Sequence, residues 1–249
     1  MKFGSLFAGI GGIDLGLERA GMEAAWQVEI DDFAGKVLKK HWPDVPLFKD
    51  VHDVGRHNLA PVDLIAGGFP CQPHSSAGKG GASRDHRDMW PQFRRVLTEM
   101  RPRWVIIENV SNLLSSEKGE FYANMLKDLA EIGYVVEWHT LHASDFGALH
   151  KRRRVFVVAY SDSDGLNRQG ISKIGTEDLS VAARGYHEKY WAALPMPTDA
   201  EDQPSLRRVV DGVPDWVDRI RVVGNSVVPQ IFEWIGKQIV REEILMRRR

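Results

Sequence analysis

Three kinds of residue in this chain could do chemistry together: one thiol, one carboxylate at the end of an apolar run, and two arginines two positions apart. The thiol is Cys71, the only cysteine among 249 residues, in Gly67-Gly68-Phe69-Pro70-Cys71-Gln72-Pro73-His74-Ser75. A lone cysteine forms no internal disulfide, so it is either a small buried hydrophobe or a working thiol. Its neighbours favour the second. Val62-Asp63-Leu64-Ile65-Ala66 reads as a buried strand that Gly67-Gly68 ends. Cys71 then falls just past a strand's carboxyl end, where open α/β sheets bind ligands. Pro70 and Pro73 stiffen that loop through their fixed φ. The carboxylate is Glu108, which follows Trp104-Val105-Ile106-Ile107. Its plain alternative is to cap the next segment. Facing the same crevice as Cys71, it would have a raised pKa and could hold a proton at neutral pH. The arginines belong to His150-Lys151-Arg152-Arg153-Arg154. A basic run is usually a solvated face. Alternate residues of a strand share a side, however, so Arg152 and Arg154 face one way and Arg153 the other. Nucleophile, acid and cation in one crevice suit covalent catalysis.

A second constellation points to a ligand. Phe7-Ala8-Gly9-Ile10-Gly11-Gly12 follows the first apolar run and opens a helical pattern. Glycines let backbone turn tightly and approach a ligand closely. The dinucleotide pattern needs glycine where Asp14 stands, so an NAD-type match fails. Asp14 also disfavours an anionic pyrophosphate, and a cationic or zwitterionic nucleoside fits better. Glu29 ends the second predicted strand about twenty residues on, where an acidic side chain can accept ribose hydroxyls. Its alternative is a local cap beside Asp31.

The elements that must position these groups alternate in the manner of a parallel α/β sheet. Strands are predicted over 2–7, 24–28, 62–66, 103–107, 134–141 and 154–159. Helices are predicted over 13–20, 32–42, 89–100 and 120–132. A last helix from about Ser226 carries Val228, Ile231, Ile235 and Ile239 in one stripe, which reads as core packing. Pro229 is tolerated there because it falls in the first turn. Between lies a polar stretch, 161–206, with four Lys/Arg and eight Asp/Glu. This predicts a catalytic and cofactor-binding domain over 1–160, a short lobe over 161–222, and a C-terminal helix over 223–249 that returns to the domain.

Composition sets the frame. A hydrophobic content of 43% and a charged content of 27% are those of a water-soluble globular protein. The net charge of −1 does not by itself announce a polyanion partner. One cysteine suits a reducing compartment. No run reaches the ~18 apolar residues that span a bilayer. The opening residues lack a cleavage site and break on glycines, so the expectation is a cytoplasmic protein, without membrane or metal, acting as a monomer.

Taken in order, these motifs closely resemble the cytosine carbon-5 DNA methyltransferases of bacterial or phage type. The resemblance spans most of the chain. It implies an S-adenosylmethionine-dependent, Rossmann-like α/β fold and double-stranded DNA as substrate. Phe7, Ala8, Gly9, Gly11 and Gly12 match the cofactor loop, and Glu29, with Ile30 beside it, the ribose-binding acid. Asp50-Val51 match the adenine-contacting pair. Pro70-Cys71-Gln72 match the nucleophile motif, with Pro70 beside the cofactor and Gln72 in the catalytic group. Asp85-His86-Arg87, followed by Trp90, resemble a looser motif. Glu108-Asn109-Val110 are similar to the glutamate motif, Arg152 and Arg154 to the arginine motif, and Gly224-Asn225-Ser226-Val227-Val228-Pro229 to the closing motif that brings Asn225, Ser226 and Val227 to the cofactor. His150 stands where the family has glutamine, and Leu206-Arg207-Arg208 are the remnant of the penultimate motif.

The implied mechanism flips the base out of the duplex and adds the Cys71 thiolate to carbon-6 of cytosine. Arg152 or Arg154 favours the thiolate. Protonated Glu108 donates to ring nitrogen-3, with Asn109 fixing its orientation. Ser75, Arg87, Arg207 and Arg208 are the expected DNA contacts, and Arg84, Arg94, Arg95, Arg219 and Arg221 further phosphate donors. The short acidic lobe predicts a target of about two to four base pairs, since each good base-edge pair gives ~1–3 kcal/mol of discrimination. Two other readings share the motifs: a methyltransferase acting on the same carbon in tRNA, and a non-catalytic DNA-binding regulator. The second would predict loss of Cys71, Glu108 or the arginines, all of which are present.

Overall fold

Apolar runs with both neighbours' faces covered make strands here, and amphipathic stretches between them make the covering helices. The computed structural model describes residues 1–70, 89–146, 148, 151–161 and 226–247. In chain order the elements are β1 (Lys2–Leu6), α1 (Gly12–Arg19), β2 (Glu23–Val28), α2 (Asp32–His41), β3 (Leu47–Phe48), β4 (Leu64–Gly67), α3 (Trp90–Met100), β5 (Trp104–Val110), α4 (Glu120–Glu131), β6 (Tyr134–His142), β7 (Arg153–Ser161) and α5 (Pro229–Met246). A short 3-10 turn, Val51–Asp53, precedes β4.

The strands form one seven-stranded sheet in the order β3-β2-β1-β4-β5-β7-β6. β3 through β5 run parallel, and β7 is antiparallel to both its neighbours. The fold is therefore the mostly parallel, Rossmann-like α/β sheet that the alternation of runs predicts. The order reverses between β1 and β4. Such a switch point opens a crevice at the carboxyl ends of the two strands. The glycine loop leaves β1 there, and Phe69-Pro70 leaves β4 there.

Side-chain alternation on buried strands splits the core into two layers. On β5, Val105 and Ile107 face one layer while Trp104 and Ile106 face the other; on β7, Val155 and Val157 oppose Phe156 and Val158 in the same way. The first layer is covered by Phe93, Val96 and Leu97 of α3 and Met125 and Leu129 of α4. The second is covered by Ile13 and Leu17 of α1 and by Ile231, Phe232, Ile235 and Ile239 of α5. Burying these side chains, at roughly 1.5–3 kcal/mol each, outweighs any single polar contact in the described residues.

Three details differ from the sequence reading. β5 continues through Glu108, Asn109 and Val110 rather than stopping at Ile107, because β7 pairs alongside them (Glu108 with Phe156, Asn109 with Val155, Val110 with Arg154). β3 has only two residues, too few for a period to show. The last helix begins at Pro229, with Val228 at its N-cap, because proline's fixed φ suits the first turn.

Candidate active site

Glycine geometry shapes the crevice on the β1 side. Gly9 and Gly11 hold φ of 57° and 84°, a region that favours glycine. Phe7 is also left-handed at φ 55°, a conformation that costs of order 1–3 kcal/mol outside glycine and clusters at functional sites. Its ring stacks on Phe93 of α3, which helps hold the strained turn. Gly12 is needed for a different reason: a Cβ there would lie 2.9 Å from Val227 and 3.2 Å from Ser226 Oγ. The start of α5 thus rests directly on the glycine loop.

Glu29 ties this loop to the next. Its Oε2 accepts from the Gly9 N–H at 2.7 Å and its Oε1 from the Asp31 N–H at 2.8 Å. Asp31 in turn caps α2, accepting from Phe33 and Ala34 N–H. Glu29 thus makes the local contacts of the alternative reading, joining the glycine loop to the N-cap of α2. Ile30 beside it leaves 64% of its surface exposed, an unusual position for isoleucine. Asp50 Oδ1 accepts from the His52 N–H at 2.9 Å and meets the His52 ring at 2.7 Å. These contacts hold the Asp50 carboxyl below the usual carboxylate range. Val51 is buried.

Asp14 does not face the ligand crevice, contrary to the sequence reading. It is wholly buried under the loop, where Ser5 Oγ donates to its Oδ1 at 2.8 Å and Gln27 Nε2 at 2.9 Å. Burial pushes its carboxyl up to about 6, against the opposing pull of those two hydrogen bonds.

On the β4–β5 side, Glu108 is 7% exposed. Desolvation raises its pKa, with Arg154 and Arg152 opposing. Arg154 Nε stands 3.1 Å from Glu108 Oε1. In the structure, then, Arg154 serves the acid. Arg152 is half-buried just before β7, and Arg153 is exposed. Asn109 does not brace Glu108, as the resemblance had implied. Adjacent residues of a strand point to opposite faces. Its Nδ2 donates instead to the Phe69 carbonyl at 3.0 Å, and its Oδ1 accepts from the Val110 N–H at 2.8 Å. That ties β5 to the segment leading into Pro70 and Cys71.

The described residues thus gather Phe7, Ala8, Gly9, Gly11, Gly12, Glu29, Ile30, Pro70, Glu108, Asn109, Ser226 and Val227 at or beside the strands' carboxyl ends. Cys71, Gln72, Ser75, Arg87, His150, Arg207, Arg208 and Asn225 lie outside the described residues, as does the stretch 162–225. Two expected phosphate donors have other work. Arg94 pairs with Asp128 and Glu131 of α4, and Arg95 with Glu99 and the Val51 carbonyl, so they bolt α3 to its neighbours. Periodicity cannot reveal such pairings, because both partners are ordinary surface charges in the sequence.

The model of the C-5 cytosine-specific DNA methylase family matches residues 1–204. The chain is 34% identical over 159 residues to the Type II methyltransferase M.NgoBI of Neisseria gonorrhoeae, covering 64% of this chain and 50% of that one. It is 30% identical over 216 residues to M1.ScrFI of Lactococcus lactis subsp. cremoris, covering 86% and 49%. Among solved structures it resembles a prophage-encoded DNA modification methyltransferase from E. coli (TM-score 0.57, 28% identity, 67% of this chain and 48% of that one). A Spodoptera frugiperda DNMT2 structure, at 24% identity and TM-score 0.51 over 65% and 50% of the two chains, shares the fold. The chain spans about half the length of the curated relatives it matches. With the family match extending over most of its length, this chain belongs to the C-5 cytosine-specific DNA methylases.

Proposed function

We propose that this chain is a DNA (cytosine-5-)-methyltransferase. It moves a methyl group from S-adenosylmethionine to carbon-5 of a cytosine flipped out of double-stranded DNA. The observation that carries the reading is Glu108. It is a buried carboxyl whose protonated form is favoured, with an arginine beside it, at the end of the strand adjoining the one that leads to Cys71.

The β1–β2 end fits the cofactor. A Cβ at Gly9 would meet open space, Ile30 offers an apolar face for a base, and the His52 contacts hold the Asp50 carboxyl below the usual carboxylate range. Each Glu29 oxygen accepts one backbone N–H and keeps a second lone pair for a ribose hydroxyl. When bound, the cofactor supplies an electrophilic methyl group on a sulfonium.

The chain's residues do the rest. Cytosine carbon-5 is too electron-poor to take a methyl group unaided. The Cys71 thiolate adds to carbon-6, and carbon-5 becomes an enamine carbon. A free thiol of pKa ~8.5 is only a few per cent ionised at neutral pH, so a nearby cation, Arg152 first, favours the thiolate. Glu108 donates its proton to ring nitrogen-3 and draws electrons from carbon-6. After transfer the carbon-5 proton leaves to solvent base, the Cys71–carbon-6 bond breaks to release the thiolate, and nitrogen-3 returns its proton to Glu108. Asn109 holds the Phe69 carbonyl, and so the approach to Cys71, in place throughout.

Ser161 ends β7, so the target-recognition lobe in this reading is 162–222, with Ser75, Arg87, Arg207 and Arg208 on the DNA. The protein works as a monomer in the cytoplasm, without a metal. Among the described residues no helix is long and apolar enough to cross a membrane. The test is bisulfite sequencing of plasmid DNA from cells expressing the wild type and Cys71→Ala. Protected cytosines in a short motif with the wild type, absent with the variant, are expected. Absence from both, or presence in both, would sink the reading.

A further inference from the structure

We infer that Gly68 is a positioning residue for Glu108: the Glu108 carboxylate occupies the space that a side chain at position 68 would fill. A Cβ built on Gly68 would stand 2.9 Å from Glu108 Oε2 and 3.2 Å from the Glu108 carbonyl oxygen. Contacts under 3.0 Å force something to move.

The register explains the closeness. β4 and β5 pair with Gly67 opposite Ile107, so the chain brings Gly68 alongside Glu108 as it leaves the ladder. Gly68 is not one of the glycines with positive φ. Its backbone suits any residue, and only the room beside it demands glycine. Its neighbour answers to a different constraint: a Cβ on Gly67 would meet the Leu6 carbonyl and Phe93 at 2.7 Å, which is core packing. Of the two adjacent glycines, one lets the sheet close and the other admits the acid.

Glu108 has little freedom to step aside. Its other oxygen is held by Arg154, and its backbone belongs to the β5–β7 ladder. An added methyl group must displace the carboxylate or shift the backbone that runs through Phe69 and Pro70 towards Cys71. Either change moves the acid relative to the segment that leads to Cys71, and reacting groups tolerate displacement poorly.

The catalytic consequence rests on the proposed methyltransferase activity, whereas the spatial claim does not. The experiment is a double-mutant cycle on the full chain: wild type, Gly68→Ala, Glu108→Ala and the double variant. Each is read by thermal unfolding, calorimetric S-adenosylmethionine affinity and the rate of DNA methylation. Gly68→Ala should lower the unfolding temperature in the wild-type background and lower it clearly less when Glu108 is already alanine, where only the 3.2 Å approach to the backbone carbonyl remains, since coupled neighbours are non-additive. It should slow methylation by about tenfold or more while cofactor affinity stays within about twofold, the pattern of a misplaced group rather than a lost binding site. An equal drop in unfolding temperature in both backgrounds overturns the inference, as does a Gly68→Ala enzyme with wild-type rate. If Gly68→Ala fails to fold, recovery of folding in the double variant supports the inference, and failure of both overturns it. A wild type without methylation activity overturns the functional reading alone, and the unfolding cycle still decides the spatial claim.

Discussion

Arg154 reaches across the antiparallel β5–β7 pair and sets its Nε 3.1 Å from Glu108 Oε1, although its own ladder partner is Val110. The pairing is diagonal. It places a fixed positive charge on one oxygen of a carboxyl whose pKa burial raises.

That balance gives a pH prediction. Desolvation raises the Glu108 pKa and the two arginines restrain the rise. The acid works when protonated, so turnover should fall as pH rises through its raised pKa. Glu108→Gln cannot lose a proton there, so the slower variant should lack that falling limb. An unchanged limb in the variant would assign it to another group.

Asn109→Ala should remove the donor to the Phe69 carbonyl and the acceptor for the Val110 N–H. The expected destabilisation is about 1–3 kcal/mol, the cost of leaving buried polar groups unpaired. Cofactor affinity should hold, while covalent trapping on DNA containing 5-fluorocytosine slows. Chemical denaturation and the trapping rate check the two halves. Trapping at the wild-type rate would mean that the bridge does not govern Cys71.

Glu29→Ala should weaken S-adenosylmethionine binding by about 1.5–3 kcal/mol, the range for hydrogen bonds to a charged group. It also releases the Gly9 N–H, so protection of that amide against hydrogen exchange should fall even without cofactor. Titration calorimetry and exchange measure these separately.

Asp14 predicts how stability depends on pH. Its folded-state pKa, about 6, lies above the ordinary aspartate value of 3.8. The neutral form favours the fold, so the contribution is full below pH 3.8 and is lost as pH rises through 6. The loss is on the order of 2–3 kcal/mol, at 1.36 kcal/mol per pKa unit. Asp14→Asn cannot ionise and should exceed the wild type in stability at pH 8 by about that much, with the gap closing towards pH 4. Urea unfolding at both values is the check; a constant gap would show that Asp14 carries no charge cost.

Much of this fold was legible before any coordinates. The β1, β2, β4 and β7 runs are apolar because both their faces are covered, and such runs stand out. Glu108 and Glu29 could be placed because glutamates at the ends of such runs are rare enough to notice. Other features depend on partners remote in sequence. The extension of β5 needs β7 alongside it, and the target of Asn109 is a carbonyl forty residues earlier. Asp14 looked like part of a ligand loop because helical phase, not spacing from a glycine, decides which way it points. Arg94 reads as a free cation in the sequence until α4 brings Asp128 and Glu131 to it, and Arg95 until the fold sets it between Glu99 of its own helix and the Val51 carbonyl.

α5 completes a surface that the first twenty residues begin. It covers the sheet face carrying Phe3, Leu64 and Trp104, and its approach through Ser226 and Val227 rests on Gly12. On a ribosome the chain emerges N-terminus first, at about 5–20 residues per second. Until α5 has emerged, α1 alone covers that face, through Ile13 and Leu17, and the glycine loop lacks its floor. Ligand binding at this loop is thereby tied to the arrival of α5, and a product cut short before Ser226 would present an adhesive apolar face to the quality-control machinery of the cell.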